Sequence, residues 1–114
     1  MDFKVTQEIR VCDELDKKRI LYDILAKIMD GSKVIIFTTT KRTADELTYD
    51  LRKNKFPARA IHGDKSQNER DWALAEFKSG KSPLLVVSRV SRAIILKCII
   101  RLSIFAHLLI VPFN

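Results

Sequence analysis

Glycine is scarce in this sequence. Only Gly31, Gly63 and Gly80 occur among 114 residues, and no two share a loop. A phosphate-cradling loop needs several glycines and a lysine at the head of a helix, so none is encoded. No acidic strand end suited to Mg²⁺ is recognisable. Phosphoryl transfer needs a phosphate cradle, a metal and an in-line nucleophile together, so a self-sufficient nucleotide-hydrolysing site is excluded. Cysteine is equally thin. Cys12 and Cys98 lie far apart and give neither a metal spacing nor a disulfide framework, which suits a reducing intracellular setting. His62 and His107 give no metal spacing, and no Ser/His/Asp or Cys/His nucleophile arrangement is evident. Met1 to Arg10 contains no apolar run, so no signal peptide is expected and secretion is not implied. Repeats and low-complexity tracts are absent.

What is present is positive charge, unevenly placed. The chain carries 21 Lys plus Arg against 14 Asp plus Glu, a net charge of +7. Residues 1–30 hold six basic and seven acidic side chains, whereas residues 31–93 hold thirteen and seven. The excess therefore begins after the first helical segment, and it suits an anionic partner. An apolar fraction of 46% is ordinary for one small globular domain.

The hydrophobic pattern alternates between two periods. Phe3, Val5, Ile9 and Val11 alternate with polar residues, as in a half-buried strand. Asp13 is placed to cap a helix carrying Ile20, Leu21, Ile24, Leu25, Ile28 and Met29 at three- and four-residue spacing. Gly31 follows Asp30 as its stop. Val34–Phe37 is a short apolar run that reads as a strand buried on both faces. Thr40 can cap a helix from Lys41 to about Lys53, with Ala44, Leu47 and Leu51 inward. A turn over 54–57 leads to a third strand, Ala58–His62. Ser66-Gln67-Asn68-Glu69 has the capping-box pattern and opens a helix to about Ser79, for which Trp72, Ala73 and Phe77 are read as the inner face. Gly80 ends it, and Leu84–Val87 is a fourth strand, again buried. The order β-α-β-α-β-α-β implies an α/β fold, a parallel sheet with helices on both faces and right-handed crossovers. Ligands of such sheets gather beyond the carboxyl ends of the strands. Here those ends are Thr38–Lys41, His62–Lys65 and Ser88–Arg92, all rich in hydroxyl or basic residues.

Several of these residues suit phosphate. Gly63, in the His62-Gly63-Asp64-Lys65 turn, removes a side chain where a phosphate would approach backbone N–H groups; the same turn is also an ordinary β-α connection. Gln67 and Arg70 lie three apart in a first helical turn and share a face. There the free N–H groups and the dipole attract anions, and arginine adds a forked, permanently charged donor. Solvated polar surface is the competing reading. Thr38, Thr39 and Thr40 either bind phosphate or cap the helix, and capping is the simpler account of Thr40. His62 reads most simply as a strand-end packing residue.

Two stretches carry a resemblance. Val34-Ile35-Ile36-Phe37-Thr38-Thr39-Thr40-Lys41-Arg42-Thr43-Ala44-Asp45 and Ala60-Ile61-His62-Gly63-Asp64-Lys65-Ser66-Gln67-Asn68-Glu69-Arg70-Asp71 resemble the second (C-terminal) RecA-like domain of DEAD-box ATP-dependent RNA helicases, with wording similar to the Dbp2/p68-like branch. The resemblance runs from residue 3 to near residue 88. It implies a three-layer fold of the P-loop NTPase type. It also implies that Thr38, Thr39, Gly63, Asp64, Gln67 and Arg70 contact the sugar-phosphate backbone of single-stranded or duplex RNA, with little sequence preference. A complete member of the family uses ATP and Mg²⁺ and closes a first RecA-like domain against this one, inside the nucleus or cytoplasm.

The pattern then breaks. Where the family continues V-A-T-D-V-A-A-R-G, the chain reads Val86-Val87-Ser88-Arg89-Val90-Ser91-Arg92-Ala93. Ser88 can stand for the threonine, Arg89 reverses the charge of the aspartate that helps hold the nucleotide ribose, and the glycine is absent. The later H-R-I-G-R-T-G-R motif is missing. The expectation is a partial helicase domain over 1–93, inactive toward ATP as an isolated chain, followed by a divergent hydrophobic tail over 94–114. The leading reading is a helicase-domain fragment that supplies RNA contacts to RNA-dependent ATP hydrolysis and duplex unwinding in a complete protein. The alternatives are a non-catalytic RNA-binding or regulatory fragment and, third, a tail-anchored membrane protein. Lys97 and Arg101 interrupt the tail, and a spanning helix needs about 20 predominantly apolar residues, so the membrane reading is the weakest. Without its family-like final strands, the sheet is expected to keep an unpaired edge and a sticky apolar segment.

Overall fold

A computed structural model describes residues 4–8, 14–28 and 31–110. Five strands and four helices follow in the order β1 (Lys4–Glu8), α1 (Glu14–Ile28), β2 (Val34–Thr38), α2 (Lys41–Lys53), β3 (Ala58–Ile61), α3 (Gln67–Ser79), β4 (Leu84–Ser88), α4 (Arg92–Arg101) and β5 (His107–Ile110), with a 3-10 turn over Arg89–Ser91 leading into α4. Phe3, Ile9, Val11, Asp13, Met29 and Asp30, used in the sequence reading, lie outside the described residues.

The strands form one sheet, ordered β1-β5-β2-β4-β3, and every pairing is parallel. The chain moves one way across the sheet from β1 to β2 to β3, then returns through β4 to β5. Right-handed crossovers put the helices of the outward path on one face and those of the return path on the other. The packing agrees. Leu21 and Leu25 of α1 and Ala44, Leu47 and Leu51 of α2 pack on Val34, Ile36, Leu84, Val86 and Leu109. Ala73 and Phe77 of α3 and Ile95 and Ile99 of α4 pack on Ile35, Phe37, Leu85, Val87 and Leu108. Alternate residues of the same strands thus feed two cores, which is why β2 and β4 read as unbroken apolar runs. The three-layer α/β arrangement is as expected from the sequence.

Local signals hold where they are strongest. Thr40 caps α2, its side chain accepting from the Thr43 N–H. Ser66 and Glu69 form the full capping box of α3, and Gly80 closes that helix in the left-handed region, a conformation that costs a residue with a Cβ. Asn54 caps the end of α2, and Lys55 turns the chain with a φ of 67°.

Two expectations are corrected. Trp72 does not pack inward: it is 54% exposed. The inner stripe of α3 is Ala73 and Phe77, four apart, and Trp72 lies about 100° round the helix from Ala73. Its ring is covered by the Arg59 guanidinium at 4.2 Å, from edge strand β3. The second correction concerns the end of the chain. Residues 92–110 do not stand apart from the sheet of this partial domain. Arg92–Arg101 forms α4, running through the 93/94 boundary drawn from the sequence, and His107–Ile110 enters the sheet between β1 and β2. The aliphatic residues that read as surplus fill defined places: Ile95, Ile99, Ile104 and Leu108 in one core and Leu109 in the other. Among the described residues, no helix is long and apolar enough to cross a membrane.

A buried ion pair fixes the end of α3 against β3. Glu76, 5% exposed, accepts from Arg59 Nε at 2.9 Å and from the Ser82 hydroxyl at 2.8 Å. The hydrogen bond from Arg59, then that from Ser82, hold its carboxyl below the ordinary value of 4.5 against the opposing effect of burial. A depressed carboxylate contributes stability that is fully present above its unfolded-state pKa and is lost as pH falls through the folded value. The urea midpoint is therefore expected to drop as pH is lowered below 4.5, and Glu76→Gln should flatten that part of the profile. An equally steep profile in the variant would assign the acid sensitivity elsewhere.

Candidate nucleic-acid interface

The carboxyl ends of β2, β3 and β4 lie side by side, because Thr38 pairs with Ser88 and Ile61 with Val87 in the parallel register. The loops that leave them form one rim. Thr38 and Ser88 are each 2% exposed. Thr38 Oγ1 donates to the Thr40 carbonyl at 3.2 Å, so this hydroxyl sets the turn into α2, while Thr39 sits on the exposed surface beyond it.

The His62–Lys65 loop is clamped to the first turns of α2. His62 is 3% exposed. Its Nδ1 accepts from the Asp64 N–H at 3.2 Å, which leaves Nε2 to donate to Asp45 Oδ2 at 2.9 Å. His62 is thus a hydrogen-bonded strut rather than simple packing. Lys65 lies 3.5 Å from the other Asp45 oxygen, and Lys41 pairs with Asp64 at 2.9 Å. Lys41, by hydrogen bond and by charge, lowers the Asp64 pKa. No local pattern singles out Lys41 and Asp45; their four-residue spacing on α2 is the one signal that places them together.

Gly63 stands at the crest of this loop. It has no positive φ, and a Cβ built there would meet nothing within 4 Å. Neither backbone conformation nor packing within the chain requires a glycine at this position.

Gln67 and Arg70 occupy the first turn of α3, brought together as their spacing implied. Arg70 Nη2 donates to Gln67 Oε1 at 3.1 Å, and Gln67 Nε2 donates to Asp71 Oδ1 at 2.8 Å. Gln67 therefore aims the guanidinium. Arg70 Nε is buried and has no acceptor.

Beyond β4 the rim is basic. Arg89 is exposed at the strand end. Arg92 lies with its guanidinium 4.8 Å from the centre of the Phe37 ring, and its Nε also lacks an acceptor. The first turn of α4 has no acidic residue and no side-chain cap, so the positive end of its dipole is reinforced rather than offset. Among the described residues, no carboxylate stands at the β4 end to hold a ribose hydroxyl or Mg²⁺. The residues present there do not fit a nucleotide as the family pattern would.

Among the described residues, the rim is a shallow, cationic, hydroxyl-lined edge with spare N–H donors and no assembled nucleophile. Such an edge can bind a chain of phosphates.

Residues 16–100 match the family model described as the helicase conserved C-terminal domain. Over 88 residues the chain is 57% identical to the ATP-dependent RNA helicase DBP2 of Mycosarcoma maydis, covering 76% of this chain and 16% of that protein. It is 47% identical over 87 residues to DEAD-box ATP-dependent RNA helicase 20 of Oryza sativa subsp. japonica, covering 76% and 18%. The chain thus spans about one sixth of the length of these relatives. Among solved structures, the C-terminal domain of the DEAD-box protein Dbp5 superposes with a TM-score of 0.65 at 30% identity, covering 77% of this chain and 48% of that one. The Hef helicase domain of Pyrococcus furiosus, at 21% identity and a TM-score of 0.58, shares the fold.

Proposed function

The chain belongs to the helicase conserved C-terminal domain family, and from that premise we propose that its strand-end rim binds the sugar-phosphate backbone of RNA. In a complete protein it would supply these contacts to RNA-dependent ATP hydrolysis and duplex unwinding, opposite a first RecA-like domain, in an intracellular setting. Thr39, Gly63, Gln67 and Arg70 would meet phosphate or ribose directly. Thr38 and Asp64 would act by shape: Thr38 holds the turn into α2, and Asp64 holds Lys41 beside the loop.

The observation that carries this reading is the Gln67–Arg70 pair. A buried N–H without an acceptor costs about 1–3 kcal/mol, and Arg70 Nε is such a donor at a helix N-terminus. A phosphate oxygen would satisfy it and would also favour the dipole. Gly63, which nothing within the chain requires, leaves room for the backbone to come close. ATP enters only through the family, since Arg89 stands where a carboxylate would be needed. RNA-stimulated phosphate release by the pure isolated chain would contradict this.

Gly63→Ala is the direct test. The variant should melt at the wild-type temperature, because the added methyl enters open space, yet bind single-stranded RNA several-fold more weakly in fluorescence anisotropy. Unchanged affinity at unchanged stability would remove the loop from the interface.

A further inference from the structure

Helices α3 and α4 lie side by side on one face of the sheet and leave between them an open groove of about 340 Å³. We propose that this groove is a docking site for an acidic peptide segment of a partner protein, one that presents a stripe of aliphatic side chains between its carboxylates.

The floor carries the first half of the argument. Leu74, Ile94, Cys98 and Leu102 line it, and Ile94 is 57% exposed. This surface offers aliphatic carbon, and its lining contains no aromatic ring. Single-stranded nucleic acid is held by stacking its bases on aromatic or guanidinium planes along a cationic track. An aliphatic floor offers no such platform, whereas it suits the i, i+3, i+4 side chains of an amphipathic segment.

The walls carry the second half. Arg70, Lys78 and Arg101 rise around the floor, against one carboxylate, Asp71, which already accepts a hydrogen bond from Gln67. Lys78 and Arg101 are exposed and form no ion pair among the described residues. Three cations around an apolar trough complement a segment with acidic flanks and an apolar centre, and they oppose a basic one. α4 contributes no acidic residue at all, its sequence being RAIILKCIIR. One end of the groove is Gln67 and Arg70, so a segment seated there would also cover the pair assigned to RNA. Its binding and RNA binding should then exclude each other.

The test uses the full 114-residue chain with Cys12→Ser, so that Cys98 is the single thiol. The probe is a fluorescein-labelled peptide of Glu, Leu and Ala with leucines at helical i, i+3, i+4, i+7 spacing. Controls are the same composition with the stripe scrambled and the same stripe with Lys in place of Glu. The striped acidic peptide should bind and slow alkylation of Cys98 by iodoacetamide, while both controls should bind about tenfold more weakly or worse. Ile94→Glu and Lys78→Glu both change exposed positions, so the fold should survive, as circular dichroism will verify; each should weaken peptide binding about tenfold. Equal binding of the scrambled peptide, or binding without protection of Cys98, overturns the proposal. Protection of Cys98 by an RNA oligonucleotide but not by the peptide overturns it in favour of nucleic acid. These readings are taken without RNA, so they stand or fall separately from the RNA assignment. The competition arm, displacement of the peptide by oligouridine, rests on that assignment and is read only after Gln67→Ala has been shown to weaken RNA binding.

Discussion

Leu109→Ala is expected to destabilise the chain by about 2–5 kcal/mol, and Leu109→Asp to prevent cooperative folding. Leu109 is fully buried and belongs to β5, which joins β1 to β2. Truncation to alanine opens a cavity in the core beneath α1 and α2. An aspartate would place a charge there without a partner, a penalty of several kcal/mol per ion. Small domains have only about 5–15 kcal/mol in total, so either change consumes much of the margin. Urea unfolding, followed by circular dichroism and tryptophan fluorescence, gives the measurement. Midpoints unchanged by both substitutions would mean that residues 107–110 contribute no strand in solution, and that the tail is the foreign, sticky segment suggested by its composition. With β5 in place, the edges of the sheet among the described residues are β1 and β3.

Gln67→Ala combined with Arg70→Ala should weaken binding to single-stranded RNA by about tenfold or more and reduce its salt dependence. Arg70 neutralises one phosphate in this reading, and each phosphate contact on a single strand contributes about −0.7 to the slope of log affinity against log salt. The slope should therefore become shallower by about that amount. Both side chains are in the first turn of a capped helix and touch each other, and the double substitution also removes the unsatisfied Arg70 Nε, so thermal stability should hold or rise. Lys27→Ala, an exposed change in the last turn of α1 on the opposite face, provides the control and should leave affinity almost unchanged. Equal losses in the two proteins would show that only net charge is being read.

Much of this site was legible in the residues alone. The capping box at Ser66 and Glu69, the Gly80 stop and the Thr40 cap are local devices whose energy depends on neighbours within four positions. They place α2 and α3, and with them Gln67 and Arg70, without any tertiary contact. The His62-Gly63-Asp64-Lys65 turn was equally visible as a β-α connection at a strand end. What it grips was not. The links from His62 and Lys65 to Asp45, and from Asp64 to Lys41, span seventeen to twenty-three residues; they exist because α2 crosses beside β3, a fact of topology rather than of pattern.

The sequence by itself determined the elements up to β4, the parallel two-faced sheet and the cationic strand-end rim, because period, caps and charge act over short distances along the chain. Tertiary structure alone decided three things. It turned Trp72 outward against Arg59, since which side of a helix is inside depends on where the neighbouring strand lies. It left the aliphatic trough between α3 and α4, two segments with no shared sequence signal. And it gave residues 92–110 a place: a largely apolar stretch states only that much of it must be buried, whereas the gap between β1 and β2 states where.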